Sequence, residues 1–526
     1  MPSDCITFQE SGYFSNLIVD YLNQNSNLDS LYNFSPSIEN YKLQIDLKRE
    51  NYNHNNRKTL VETLKKQYDS ISISEQTKRN IELLGKENTY TITTGHQLNL
   101  FTGPLYFIYK IVSTINTVKA LQIKYPEFNF VPIYWMATED HDFEEINYFT
   151  INDSKIKWKK ESKGPVGRLS TEGLEDVYTE LKSKIGLGTT ADYLLHLFEN
   201  AYLKHTNLAD ATRYLTNELF KEYGLVIVDA DDKSLKNLFV PYIKNELLNQ
   251  TSFEEVSKTN QLLKNYTIQV NPRAINFFYM ENNLRERIVL ENDTYKVLNT
   301  SIEFSKEEIL NEIQNAPEKF SPNVILRPLY QEVLLPNLGY IGGGGEIAYW
   351  LQLKSNFEAN NISFPILQLR NSALIATEKQ VKKLDKLQLT WKEIFLPTDH
   401  LTSIKVKQLS TVSFNFDNQI AFLKEQFKVL ENIAIQTDAS FMGAVKAQET
   451  KQIKGLKNLE KRLLKAEKRK YSEELNQIVN LKNELFPNGN LQERVSNFST
   501  FYDANFISIC CAKFNPFVTE FILLIS

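Results

Sequence analysis

The residues best suited to chemistry fall in a few short segments. Thr93-Thr94-Gly95-His96-Gln97, followed by Thr102-Gly103-Pro104, is a turn that offers hydroxyls and backbone N–H groups beside an imidazole. That combination suits a phosphate or carboxylate, with His96 placed to donate to a developing negative charge. The plain alternative is a strand-to-helix turn with a surface histidine. Glu139-Asp140-His141-Asp142 follows an apolar run. Four ionisable residues in a row cannot all be buried unpaired. They stand in solvent, bind a cation such as Mg²⁺, or hold the cationic end of a ligand, and a carboxylate-flanked His141 has the makings of a general base. Gly342-Gly343-Gly344-Gly345-Glu346 lets a backbone approach a ligand closely and opens a helix whose dipole favours an anion. Tyr349 and Trp350, one turn on, can wall a pocket. Arg327, Gln331 and Arg370 add two guanidinium groups suited to carboxylate or phosphate, or to a structural ion pair.

These segments need elements to position them. Tyr90–Thr94 is short and β-rich, Leu105–Ile123 carries apolar residues at helical spacing, and Phe130–Met136 is again strand-like. That is a βαβ unit with polar residues at the carboxyl ends of both strands, where open parallel sheets bind ligands. Gly224–Asp232 is an apolar run ending in acids, the pattern of a buried parallel strand. Leu338–Ile341 and Phe364–Arg370 complete the sheet, with a helix expected from Glu346 to about Ala359. Further β-like runs are Thr267–Val270, Phe277–Met280 and Tyr295–Leu298, and from about Asn371 the chain is expected to be helical.

The fold class expected is α/β, a Rossmann-type parallel-sheet core with two insertions and a C-terminal α-helical coiled coil. The expected boundaries are a helical cap at 1–88, core at 89–149, a first insertion at 150–222, and a core strand and helix at 223–249. A second insertion at 250–318 precedes the glycine-loop core at 319–375, a coiled coil at 376–490, and a helix and tail packing on the core at 491–526. Ile420, Leu423, Phe427, Leu430 and Ala434 keep a 3-4 spacing, as do Leu456, Leu459, Leu463 and Ala466, and then, in shifted phase, Tyr471, Leu475 and Ile478.

The 526 residues exceed what one core holds, and 60 Lys+Arg against 64 Asp+Glu leave a net charge of −4, which predicts no polyanion partner. Gly443–Lys482 alone holds 11 Lys/Arg and 5 Glu, a solvated helical face suited to pairing two copies. No nucleic-acid module accompanies it. The start of the chain lacks a signal-peptide pattern, and no run reaches the ~18 apolar residues of a membrane helix. Cys5, Cys510 and Cys511 lack zinc-site spacing, and such sparse usage fits a cytoplasmic protein.

Taken together, TTGHQLNLFTGPLYFIYK, VPIYWMATEDHDFEEIN, GLVIVDADD, SPNVILRPLYQEVLLPNLGYIGGGGEIAYWLQLK, FPILQLR and FPNGNLQER resemble the bacillithiol biosynthesis cysteine-adding enzyme family, in order and over essentially the whole chain. The resemblance implies a Rossmann-type core with two connecting-peptide insertions, a coiled coil that mediates homodimerisation, and a ligase that adds L-cysteine to the amine of glucosaminyl malate as an amide. It implies that His96, with the Gly95 and Gly103 amides, stabilises an oxyanion. His141, with Asp140 and Asp142, would deprotonate the amine or hold the cysteine ammonium. Arg327 or Arg370 would take the malate carboxylates, and Gly342–Gly345 a sugar or nucleotide phosphate. Thr94, Gln97, Thr102, Glu139, Gln331, Glu346, Tyr349 and Trp350 would line the binding site. Where the family often reads GGPGE, Gly344 stands in the proline position. The family is similar in architecture to class I synthetase-like ligases, which activate a carboxylate with ATP; their lysine-serine loop has no counterpart here. ATP or ADP, and Mg²⁺, are cofactors the residues leave open. Two other classes fit the residues less closely: a metal-dependent nucleotidyltransferase or phosphohydrolase on the same core, and a coiled-coil scaffold or RNA-binding protein.

Overall fold

The structure is a computed structural model that describes residues 6–152 and 154–525; Cys5 lies outside them. Its centre is a five-stranded sheet. β1 (Thr89–His96) leads through α1 (Tyr106–Lys124) to β2 (Asn129–Met136). β3 (Val226–Asp229) is followed by α2 (Lys233–Asn249). Later in the chain come α3 (Arg327–Leu334), β4 (Asn337–Gly342), α4 (Gly344–Trp350) and β5 (Ile366–Leu369). All neighbours in this sheet pair parallel, in the order β3-β2-β1-β4-β5. β1 runs Thr-Tyr-Thr-Ile-Thr-Thr and is buried along nearly its whole length because helices cover both faces. Its threonines need partners there. Thr91 and Thr93 donate to Asn337 Oδ1 at 3.2 and 2.8 Å, which ties β1 to β4 across the point where strand order reverses. A Rossmann-type sheet binds ligands at the carboxyl ends beside such a reversal.

Helices Asn40–Asn51, Asn56–Tyr68 and Glu75–Leu83 pack beside the sheet from the amino-terminal segment. A hairpin (Tyr148–Ile151 with Ser154–Lys157) and the helices Leu174–Lys184, Thr189–Phe198 and Leu208–Phe220 separate β2 from β3. An antiparallel five-stranded sheet lies between α2 and α3, built from Phe277–Glu281, Leu284–Glu291, Thr294–Val297, Glu303–Phe304 and Phe320–Pro322.

Three local expectations are corrected. Thr267–Val270 is not a strand, because the Gln352 side chain takes its backbone groups: Gln269 and Val270 N donate to Gln352 Oε1, and Gln352 Nε2 donates to Val270 O. The helix expected from Glu346 to Ala359 breaks after Trp350 and restarts at Lys354–Ala359. Ser372–Ala376, expected to be helical, is a strand paired parallel with Glu520–Ile525, which in turn meets Ile6–Thr7.

The carboxyl-terminal region is mostly helical. α5 (Asp417–Ala434) and α6 (Ala439–Lys470) form a hairpin whose small core holds Phe427, Ala434 and Val445. The change of phase at Tyr471 is a break between α6 and α7 (Ser472–Leu485). The chain then re-enters the core through α8 (Gln492–Val495). No helix among the described residues is long and apolar enough to cross a membrane.

Candidate active site

At the carboxyl ends of β1 and β4 lies a cleft of about 400 Å³. Gly95, His96 and Gln97 form one lip, Gly343–Gly345, Glu346 and Tyr349 the other, and Arg327, Gln331, Trp350 and Arg370 close it. Segments far apart in sequence meet here because β1 and β4 are neighbours. None of the four glycines has a positive φ; their use is space. A Cβ on Gly342 would press on Tyr340, Glu346 and Ile347 at 3.0–3.2 Å, whereas one on Gly345 would meet nothing within 4 Å. Gly344 is the first residue of α4, the position that proline favours. The first-turn amides of α4 have no carbonyl partners within their own helix and face an anion well.

The loop is fixed by an ion pair that the sequence reading missed. Lys110, from the second turn of α1, stands 2.5 Å from Glu346 Oε2 and donates to Gly95 O at 2.7 Å. Glu346 also accepts from Gly343 N at 2.9 Å and from the Tyr340 hydroxyl at 2.8 Å. Burial alone would push the Glu346 carboxyl up, but Lys110, the Gly343 amide and the Tyr340 hydroxyl outweigh it and hold it below its ordinary value. Burial pulls the Lys110 ammonium down, and Glu346 offsets only part of that.

His96 is 9% exposed, packed against Tyr106 and Phe107, and its Nε2 has no hydrogen-bond partner among the described residues. Burial, then the charges of Lys110 and Arg370, push its pKa well below 6.5. The ring is therefore neutral near pH 7 and can donate one N–H to an oxygen in the cleft.

The acidic segment turns elsewhere. Glu139 pairs at 2.8 Å with Lys236, which is fully buried. Asp140 accepts from Gln97 Nε2 at 3.3 Å and lies 3.6 and 3.8 Å from Arg327 and Arg285. Burial would raise its carboxyl, yet the two guanidinium groups hold it low. His141 Nδ1 sits 2.5 Å from Arg285 Nη1. Arginine only donates, so Nδ1 is the acceptor and the ring proton is on Nε2. In this arrangement His141 has no free lone pair with which to act as a base, and neither His141 nor Asp142 lines the cleft. Donor atoms of Asp140, His141 and Asp142 do lie within 4.8 Å of one another. Asp140 already faces two guanidinium groups and the His141 Nδ1 lone pair is taken by Arg285, a setting that disfavours a divalent cation at this cluster.

Other expected ligand groups are spent on structure. Thr94 Oγ1 donates to Ile341 O at 2.7 Å. Gly342 is strand, and its carbonyl accepts from Arg370 N. Phe101, Thr102 and Gly103 all have positive φ (48°, 69° and 63°), a strain of about 1–2 kcal/mol for each non-glycine residue. Asn497 Nδ2 offsets it by donating to the Phe101 and Gly103 carbonyls at 2.7 and 2.6 Å. The Gly103 amide is used by Leu100 O, so it is not an oxyanion donor. Arg370 is buried with its Nη2 2.7 Å from Glu493 Oε1, leaving only Nε unpartnered and facing the glycine loop. Cys510 packs under α1, where burial pushes its thiol up to about 12, unsuited to a nucleophile.

The family model for the bacillithiol biosynthesis BshC N-terminal Rossmann-like domain matches residues 1–371, and that for the BshC C-terminal coiled-coil domain matches 373–526. The chain belongs to the BshC family. It is 61% identical to a relative from Flavobacterium johnsoniae and 53% to one from Christiangramia forsetii, covering 95% of this chain and 95% and 94% of theirs. A Bacillus thuringiensis relative is 28% identical, with 91% and 92% covered. Each bears the name "Putative cysteine ligase BshC". The motif-rich β1 and β4 ends lie in the first of the two family domains, and Arg494 reaches the cleft between them from the second.

Proposed function

We propose that this chain is the ligase that joins the carboxyl group of L-cysteine to the amine of glucosaminyl malate, forming an amide in bacillithiol synthesis. The observation that carries the reading is positional: five of the six segments by which the chain resembles its family contribute residues to one cleft, and four of those residues are cations. Lys110, Arg327, Arg370 and Arg494 line it; Lys110 and Arg370 are closely paired with Glu346 and Glu493, whereas Arg327 stands 3.6 Å from Asp140 and Arg494 is exposed, which leaves guanidinium groups for an acceptor's carboxylates.

Amide formation needs a neutral amine, an activated carboxyl and little water. His96, neutral and with Nε2 unpartnered, donates to the carboxyl oxygen as charge develops on it. Arg327, held only loosely by Asp140, binds an acceptor carboxylate. Gln97 and Gln331 orient the sugar hydroxyls. ATP held by a phosphate at the Gly344 and Gly345 amides would supply activation of the cysteine carboxyl, and the space around Gly345 is open.

In the same reading the α5–α6 hairpin pairs two copies of the chain. Its apolar seam is incompletely buried, with Phe422 64%, Val429 61%, Ile433 51% and Leu459 49% exposed.

The test is expression of the chain in a bacillithiol-producing bacterium that lacks its own family member, with thiols measured by mass spectrometry. Restored bacillithiol with wild type, and its loss with His96→Ala, is the expected result. Accumulation of glucosaminyl malate with no bacillithiol in the wild-type strain would overturn the assignment.

A further inference from the structure

The Leu491-Gln492-Glu493-Arg494 motif brings the chain back from the coiled-coil region to the rim of the cleft, and the reaction as described gives Arg494 no task. We infer that Arg494 is the residue that selects a dicarboxylate acceptor, by gripping the carboxylate at the outer end of the malyl group. The inference rests on the reaction proposed above.

Every other cation of the cleft has a counter-ion. Lys110 has Glu346, Arg327 has Asp140 at 3.6 Å, and Arg370 has Glu493 at 2.7 Å. Arg494 lines the same cleft, is exposed, and has no ion pair among the described residues. Its charge reaches inward, since it is one of the cations that oppose the burial-driven rise of the Tyr106 phenol.

An exposed arginine alone would be unremarkable, but this one is held in place by its neighbours. Gln492 brackets the backbone of Ile375, accepting from its N–H and donating to its carbonyl, both at 3.0 Å. Glu493 accepts from Arg370, Ser372 Oγ and Ala373 N. Ser496 O accepts from Leu105 N at 2.8 Å. The backbone that carries Arg494 is thereby ordered before ligand arrives, which removes part of the entropy cost of binding.

A second donor points into the same space. Arg370 is 4% exposed and its Nε has no hydrogen-bond partner among the described residues. A methyl group placed on Gly343 would come within 3.8 Å of that Nε. Two adjacent residues of α8 therefore set two guanidinium groups around one opening: Glu493 by holding Arg370, and Arg494 directly. A carboxylate is the group that a paired fork of N–H donors recognises best.

The experiment is calorimetric titration of glucosaminyl malate, and of glucosaminyl lactate, which lacks the outer carboxylate, into wild type, Arg494→Met and Arg494→Lys. Wild type should prefer the malate glycoside by about 10- to 100-fold, the worth of one charge-assisted contact. Arg494→Met should lose that preference by weakening only the malate glycoside, and Arg494→Lys should keep part of it. Equal weakening of both ligands, an unchanged preference in Arg494→Met, or no preference in wild type would overturn the inference. Preferential binding by a wild-type protein that forms no cysteine amide would leave the inference standing and remove the proposed reaction.

Discussion

Lys110 Nζ lies 2.5 Å from Glu346 Oε2 and 2.7 Å from the Gly95 carbonyl, so one buried ammonium joins the end of β1 to the glycine segment after β4. Its position in α1 puts the helix that crosses between β1 and β2 in charge of the opposite lip of the cleft. Lys110→Met would leave Glu346 without its cation and the loop without its anchor. We expect the proposed amide formation to fall by at least about 10-fold, with a stability loss of about 3–5 kcal/mol by denaturant unfolding, the usual result of stranding one partner of a buried pair.

Glu346 also sets a pH dependence. Its folded pKa is below 4.5, so the folded state binds protons less readily than the unfolded one. The stability it contributes is full above the ordinary carboxylate value and is lost as pH falls through the lowered one. Melting curves of wild type and Glu346→Gln should therefore differ most near neutral pH and converge in acid. A gap that widened on acidification would contradict the ion-pair assignment.

His96 titrates with the opposite consequence for charge. Its folded pKa lies well below 6.5, so the unfolded chain takes up a proton that the folded one refuses. Stability from this residue is intact above 6.5 and declines as pH drops below it. His96→Gln, which keeps a donor but cannot titrate, should flatten that decline. Its turnover should stay well above that of His96→Ala, for which we expect a loss of about 10²–10³-fold, the scale of one oxyanion donor. Equal turnover in the two variants would remove the donor role.

The Arg370–Glu493 pair fastens the carboxyl-terminal return to the sheet, with side chains 4% and 1% exposed. Glu493→Gln should cost about 3–5 kcal/mol in denaturant unfolding, because it leaves a buried guanidinium unbalanced. Arg370→Met combined with Glu493→Leu should recover much of that stability and still be inactive, which separates the structural part of Arg370 from its unpartnered Nε.

Much of this arrangement was legible in the chain. Buried parallel strands announce themselves as apolar runs that end in polar residues, and Phe130–Met136 and Val226–Asp229 obey that rule. The glycine segment stood out because backbone without side chains is seldom repeated without a use. Individual roles were harder to read, because a motif reports which atoms are near in sequence and not which partner claims them. Glu139 looked like a ligand and is claimed by Lys236; Thr94 is claimed by the Ile341 carbonyl. Lys110 was hidden by its apolar neighbours Phe107, Ile108 and Ile111, although a lysine inside such a run is itself the signal that a carboxylate must come from elsewhere. Arg285 reaches Asp140 and His141 from the inserted sheet and Arg494 reaches the cleft from α8, and no local pattern ties either to its place.

The α5–α6 hairpin gives the last prediction. Leu430 and Leu459 keep seam spacing in sequence, yet stand 42% and 49% exposed, beside Val429 and Ile433 at 61% and 51%. Two helices bury only a small core between them, and this much apolar surface on a long hairpin supports the proposed pairing with a second copy of the chain. Ile433→Glu together with Val429→Glu should convert a dimer to a monomer in sedimentation analysis. The melting temperature of the core should barely change, because the hairpin's small apolar cluster is separate from the core around the sheet. A wild-type protein that sediments as a monomer at micromolar concentration, or a double variant that remains dimeric, would exclude this face as the contact.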